Sequence, residues 1–161
     1  MMHRIQENLS RQHKGMQLLL VLLEEEFSRL MDRNAKGVTP IELSIQELMR
    51  QLANERVCLK AMVKAIDPMA ERVRTILPIL EEERRTAIEE LLQQIDSDEQ
   101  QCGMQAHKNQ QLALALYDQS TNLLNFMHKQ ISPPENKDAY SAKGRYAKVN
   151  NRQPALVRGS F

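Results

Sequence analysis

The sequence predicts an all-α protein, built from an antiparallel helical hairpin and a long C-terminal helix and ending in a disordered tail. Three observations predict this class. Apolar residues recur at steps of three and four over most of the chain, which is the period of an α-helix. Aromatic residues make up only 4% of the 161 residues, and five glycines leave little turn-forming sequence. This composition and period are typical of an elongated three- or four-helix bundle with coiled-coil character.

The first predicted helix covers residues 5–33. Its apolar positions follow one face, with Gln12 in a gap of the pattern: Ile5, Leu9, Met16, Leu19, Leu23, Phe27 and Leu30. Gly37 can adopt the left-handed conformation that ends many helices, so we expect the first helix to end before it.

The second predicted helix covers residues 40–66. Thr39 can cap it, Pro40 suits a first helical position and Glu42 completes a capping box. The connection is about five residues long, and connections of that length favour an antiparallel hairpin. A short helix over residues 68–77 follows the Asp67-Pro68 start signal.

The third long helix is predicted over residues 78–131, with Pro78 as its first residue or as a kink. Its stripe of apolar residues keeps one phase and contains a polar middle formed by Asp98, Gln105, Asn109 and Gln119. Ser97-Asp98 resembles a second cap, but the unbroken phase favours one continuous helix. Polar seam residues lower the stability of a coiled coil, so we interpret this stripe as a surface that exchanges partner helices.

The last thirty residues, 132–161, have no apolar period and begin after Ser132-Pro133-Pro134. They carry a net charge of +4, whereas residues 1–131 carry −3. We predict a flexible basic tail that keeps the protein in solution, and a nucleic-acid role is disfavoured because the charges are diluted.

No catalytic or metal-binding pattern is found, and we expect no enzyme activity and no cofactor. The four histidines are scattered, and Cys102 and His107 lack the i, i+4 spacing of paired ligands. Both cysteines lie within helical patterns, which is typical of a reducing compartment, and the longest apolar run is far too short to cross a bilayer. We therefore expect a cytoplasmic protein without membrane insertion.

Three features resemble the FlgN-type flagellar export chaperones. One is the hairpin, whose second helix contains Asn54-Glu55-Arg56-Val57 before Leu59. Another is the long helix with Cys102, Asn109, Leu112 and Leu123-Leu124. The most specific is the tail motif Tyr140-Ser141-Ala142-Lys143-Gly144-Arg145, which is similar to a Y-x-A-x-G segment just beyond the last helix of that family.

The resemblance implies a cytosolic chaperone that holds the terminal helical segment of hook-associated proteins and delivers it to the type III export gate. The chaperone would thereby prevent premature assembly. The expected client-binding residues are Asn109, Leu112, Leu116, Leu123, Leu124 and Met127. Tyr140 and Gly144 would dock on the cytoplasmic domain of the gate protein. The alternative is a generic coiled-coil adaptor that acts by homo- or hetero-oligomerisation.

Overall fold

The computed structural model describes residues 1–131, and every described secondary-structure element is helical. Helix α1 spans Met2–Met31, α2 spans Ala35–Ile66, α3 spans Val73–Ile76 and α4 spans Glu82–Ile131, with a 3₁₀ turn at Leu77–Ile79 before α4. The predicted all-α class, with a hairpin followed by a long helix, is confirmed. Helix α4 is continuous through Ser97 and Asp98, as the unbroken phase indicated.

The hairpin turn differs from its prediction, because α2 begins at Ala35 and not after Thr39. The Asn34 side chain accepts a hydrogen bond from the Gly37 amide at 3.0 Å and caps the helix there. Pro40 consequently lies inside α2, where it removes one donor early in the helix. The left-handed residue of the turn is Arg33, with φ of 55°, and not Gly37.

The segment before α4 also differs from its prediction. Helix α3 has four residues, Pro78 lies in the 3₁₀ turn, and α4 begins four residues after Pro78. Asp67 does accept a hydrogen bond from the Met69 amide at 2.9 Å, but this contact forms a turn and no helix follows it directly. Extended backbone at Leu80 separates the 3₁₀ turn from α4.

Helices α1 and α2 are antiparallel and approach closely at Gly15. A Cβ atom at that position would lie 2.8 Å from Leu52 Cδ2, so the glycine permits the close packing. Asn8 and Arg11 near one end of α1 bond to Glu55 near the far end of α2, and Arg29 near the other end donates to the Gly37 carbonyl at 2.5 Å. These contacts fix the register of the hairpin.

Helix α4 runs parallel to α1 at a constant sequence offset. Cys102 Sγ donates to the Met16 carbonyl, Asn109 Nδ2 to the Leu23 carbonyl, and each pair is 86 residues apart. Arg33 and Gln119 keep the same separation. The contacts divide the chain after Ser120, so residues 1–120 form one compact unit and residues 121–131 are the described part of a second.

The first unit has two apolar clusters. One is closed by the segment between α2 and α4 and contains Ile5, Leu9, Val63, Ala70, Val73, Ile76, Leu77, Ile88 and Ile95. The other contains Met16, Leu19, Leu23, Ile41, Ile45, Leu52 and Cys102. Asn8 and Gln12 are buried as well. Gln12 Nε2 donates to Asn8 Oδ1 at 2.6 Å, and Asn8 Nδ2 donates to the Glu55 carbonyl at 2.9 Å, so these buried amides are hydrogen-bonded inside the bundle.

Candidate functional site

The apolar stripe of α4 has a seven-residue repeat whose burial changes along the helix. Ile88, Ile95, Cys102 and Asn109 occupy successive repeat positions, and none of them is more than 6% exposed. The next repeat position, Leu116, is half-buried, and Leu123 after it is 59% exposed. One continuous helix therefore presents a covered stripe and then an uncovered one.

The covering ends because α1 and α2 end at the hairpin turn. At the offset of 86 residues, Met31 at the end of α1 is level with Tyr117 of α4. Helix α2 begins at Ala35 on the other side of the same turn. Within the first unit, the hairpin thus has no helical residues left to cover the stripe beyond this level.

The polar positions in the stripe are bonded within the chain. His13 Nδ1 and Asp98 Oδ2 lie 2.6 Å apart, and both side chains are mostly buried. Gln105 Nε2 donates to Asn109 Oδ1 at 3.0 Å, and Arg33 donates to Gln119 Oε1 at 3.2 Å. We predicted a stripe that exchanges partners at these positions, but each of them already has an internal partner.

Asn109, one of the predicted client-binding residues, is covered by α1 in this structure. Its side chain is 3% exposed, and its Nδ2 atom donates both to the Leu23 carbonyl at 2.8 Å and to Glu26 Oε1 at 2.7 Å. The amide is therefore occupied by α1, and it is not available to another chain in this conformation. Sequence periodicity placed Asn109 on the correct face of α4 but could not identify what covers that face.

Leu112 and Leu116 belong to the first unit, and both are half-buried. Leu116 and Tyr117 line a pocket of about 330 Å³ at the hairpin turn. The opposite wall is formed by the end of α1, the turn and the start of α2, including Leu30, Arg33 and Val38. The structure therefore brings these two predicted leucines to the boundary between the covered and the uncovered stripe.

The other predicted client-binding residues are exposed and belong to the second unit. Leu123, Leu124 and Met127 expose 59%, 52% and 46% of their surface. Phe126 and Ile131 are also exposed, and Phe126 was missed in the sequence analysis. The signal for Phe126 was its position three residues after Leu123, which is an ordinary step along a coiled-coil seam.

Charge changes at the same boundary along α4. Residues 82–108 contain ten Asp, Glu, Lys and Arg side chains, whereas residues 109–127 contain one, Asp118. Between residues 109 and 127, the apolar stripe is flanked by uncharged residues, mainly Gln, Asn, Ser and Ala.

The described residues contain no group of His, Cys, Asp and Glu side chains arranged to hold a metal ion. Cys58 is exposed, whereas Cys102 is buried, and its burial raises the pKa of the Cys102 thiol, with Asp98 and Glu24 adding to the effect. Between residues 1 and 131, none of the helices combines the length and apolar character of a membrane span. Tyr140 and Gly144, the predicted gate-docking residues, lie outside the described residues.

Comparison with known proteins identifies a family to which this chain is similar. A family model described as FlgN protein matches residues 1–148 of this chain. The searches of curated proteins and of solved structures found no match to this chain. The match spans all of the described residues and extends past the tail motif that begins at Tyr140.

Proposed function

Because the chain belongs to the FlgN family of flagellar export chaperones, we propose that it binds the terminal helical segment of hook-associated proteins through the uncovered stripe of α4. The predicted contacts are Leu112 and Leu116 in the first unit and Leu123, Leu124 and Met127 in the second. Binding would keep the client segment unassembled in the cytoplasm until export by the type III apparatus.

The observation that carries this proposal is the break in burial along a continuous repeat. A seven-residue apolar repeat is the pattern with which one helix packs on another. In this chain the repeat continues to Leu123 after its own covering helices have ended, and Leu123 is 59% exposed. An amphipathic client helix with its own apolar repeat is the kind of partner that fits such a surface.

The energetics suit reversible holding. Each Å² of apolar surface removed from water contributes about 25 cal/mol, and ordering a previously disordered segment offsets part of that gain. The stripe lacks the charged flanks that strengthen many coiled-coil pairs, since only Asp118 is charged between residues 109 and 127. The client is therefore held by a limited apolar contact, from which the export apparatus can remove it.

Delivery to the export gate is the second part of the proposal. Tyr140 and Gly144 lie in the motif that resembles the family's Y-x-A-x-G segment, and tyrosine is a residue type enriched at binding hot spots. We assign these two residues to docking on the cytoplasmic domain of the gate protein. In sequence, both residues follow α4 and lie outside the proposed client-binding stripe, so the proposal assigns different residues to the two partners.

The client site is tested by replacing Leu116 and Leu123 together with Asp. The double variant should lose co-purification with hook-associated proteins, because two charges would be buried unpaired in the complex. Helical content and the hairpin should be retained. The matched control replaces Leu43 and Val57 with Asp, since both are exposed apolar residues of α2 outside the stripe. Retained capture of the client by the stripe variant would overturn the proposal.

The gate site is tested by Tyr140→Ala in the full chain. Calorimetry should give an unchanged affinity for the client segment and an affinity for the gate domain at least about tenfold weaker, as for loss of a hot-spot aromatic. Tyr146→Ala, in the same tail but outside the motif, is the control. If Tyr140→Ala binds the gate domain as tightly as the control does, the assigned role is wrong.

Self-pairing of the long helix is the competing function, and the same exposed stripe favours it. A coiled-coil adaptor would form a stable dimer at micromolar concentration and would not bind hook-associated proteins. Sedimentation of the free chain, followed by titration with client segments, separates the two. Client binding with protection of residues 100–131 from hydrogen exchange supports the chaperone, whereas a dimer unaffected by client supports the adaptor.

A further inference from the structure

The pocket at the hairpin turn combines apolar walls with a cationic rim. Leu30, Val38, Leu116 and Tyr117 supply the apolar side chains, and the pocket encloses about 330 Å³, enough for one large apolar side chain. All of its lining residues belong to the first unit. The pocket therefore exists without any contribution from residues 121–131.

Two arginines line the rim, and they differ in how they are bonded. Arg29 is paired with Glu25 at 3.1 Å and also donates to the Gly37 carbonyl. Arg33 donates to the neutral amide oxygen of Gln119, at the exposed surface, and forms no salt bridge with a described carboxylate. Asp32 adjoins Arg33 in sequence but does not line the pocket. The guanidinium of Arg33 is thus the charged group at the pocket that lacks an anionic partner among residues 1–131.

From this arrangement we propose that the pocket is a second docking point for the client, taking one apolar side chain together with a nearby carboxylate. The apolar side chain enters between Leu30, Val38 and Leu116, and the carboxylate accepts hydrogen bonds from Arg33. An acidic group fits because the guanidinium fork matches carboxylate geometry and now bonds only to an amide. The proposal rests on the proposed function, and it adds a charge-selective contact to a stripe that is otherwise almost uncharged.

The pocket also gives the complex a fixed register. An apolar stripe with a repeat of seven residues allows a bound helix to slip by one heptad, because each step presents similar side chains. One carboxylate that must meet Arg33 excludes the slipped arrangements. A client without an acidic residue at the matching position would bind the stripe but with lower affinity and in several registers.

The test measures the affinity of the full chain for synthetic peptides of hook-associated terminal segments by calorimetry at low salt. Arg33→Ala should weaken binding about threefold and Arg33→Glu about tenfold, which are typical of a rim charge pair. Ala35→Trp should fill the pocket and weaken binding at least tenfold. Neutralising the acidic residues of the peptide one at a time should identify a position whose effect disappears in Arg33→Ala.

Two controls separate this proposal from structural damage. Gln119→Ala removes the hydrogen bond to Arg33 but leaves the guanidinium free, so it should bind the peptide at least as tightly as the wild type. Gln46→Trp adds the same bulk at an exposed position of α2 outside the pocket and should change nothing. If Ala35→Trp and Arg33→Glu both bind as Gln46→Trp does, the pocket is not a docking point, although the stripe proposal survives. If no peptide binds the wild type, the proposed function fails as well.

Discussion

The two halves of α4 carry the same seven-residue repeat in different surroundings. In residues 82–109 the repeat positions are covered by the hairpin, the flanks are charged, and the polar stripe residues Asp98 and Asn109 are bonded to α1. In residues 110–131 the repeat continues, the covering ends at the hairpin turn, and the charges almost disappear. A repeat therefore indicates a face suited to helix packing, but it does not show whether the chain itself covers that face. The density of charged residues falls where the covering by the hairpin ends.

The largest expected difference between the halves of α4 is in how much a substitution at a repeat position lowers the free energy of unfolding. Ile88 is 1% exposed within an apolar cluster, so Ile88→Ala should lower the free energy of unfolding by about 2–5 kcal/mol, through lost burial and an unfilled cavity. Leu123→Ala, at the equivalent repeat position of the second half, should change it by no more than about 0.5 kcal/mol. Urea unfolding followed by circular dichroism compares the two. Equal losses would mean that Leu123 is buried in solution.

Thiol reactivity sharpens the comparison without disturbing the fold. Cys102 is buried, its pKa is raised by that burial, and its Sγ atom contacts the Met16 carbonyl, so both access and ionisation oppose reaction. At neutral pH, Cys102 should react at least about a hundredfold more slowly than exposed Cys58, at a rate set by release of α4 from α1.

Leu123→Cys in a Cys58→Ser background gives the matching probe of the second half. This thiol should react about as fast as Cys58, because the stripe is uncovered there, and should become protected when a client segment is added. A native Cys102 that reacts as fast as Cys58 would show that the first half is open as well.

The smallest expected effect is the pH dependence of stability that arises from Glu42, near the boundary between the halves. Glu26 accepts a hydrogen bond from Asn109, and burial raises the pKa of nearby Glu42 above its ordinary value of 4.5, with the charge of Glu26 adding to the effect. The folded chain therefore binds this proton more tightly than the unfolded chain does. Ionisation of Glu42 lowers the free energy of unfolding of the folded chain. This loss of stability begins near the ordinary pKa of 4.5 and grows as the pH rises through the raised pKa.

Glu42→Gln should therefore raise stability at pH 7 by up to about 0.5 kcal/mol, and the gain should vanish below the ordinary pKa of 4.5. Urea unfolding at several pH values measures it. Glu47→Gln is the control with the opposite sign, because Arg50 lowers the pKa of Glu47 to about 2 and favours its ionised form in the folded chain. A Glu42→Gln variant that is less stable than the wild type at pH 7 would contradict the assigned repulsion.

Periodicity was sufficient to predict the helices, whereas their ends depended on competing local signals. Thr39-Pro40 is a sound start signal, but Asn34 caps α2 five residues earlier. Pro40 is therefore accommodated inside the helix, where it removes one backbone donor and its ring crowds the carbonyl of the fourth residue before it. Pro78 was predicted to begin or kink the long helix, but it lies in a 3₁₀ turn. Extended backbone at Leu80 separates this turn from α4.

The site was predictable to the extent that it depends on one helix. Leu123, Leu124 and Met127 are exposed where the stripe was expected, and no other helix among residues 1–131 covers them. The burial of Asn109 was not predictable, since it requires the offset of 86 residues between α1 and α4. The pocket was missed for the same reason, because its walls come from segments about 80 residues apart.

The parallel pairing of α1 with α4 has a consequence for how a newly made chain matures on the ribosome. The antiparallel α1–α2 contacts are formed by segments that leave the exit tunnel first, whereas the α1–α4 contacts wait for residues 86 positions later. Until those residues are translated, Ile5 and Leu9 lack the Ile88 and Ile95 side chains with which they finally pack. The nascent hairpin therefore exposes these apolar side chains until α4 has been translated.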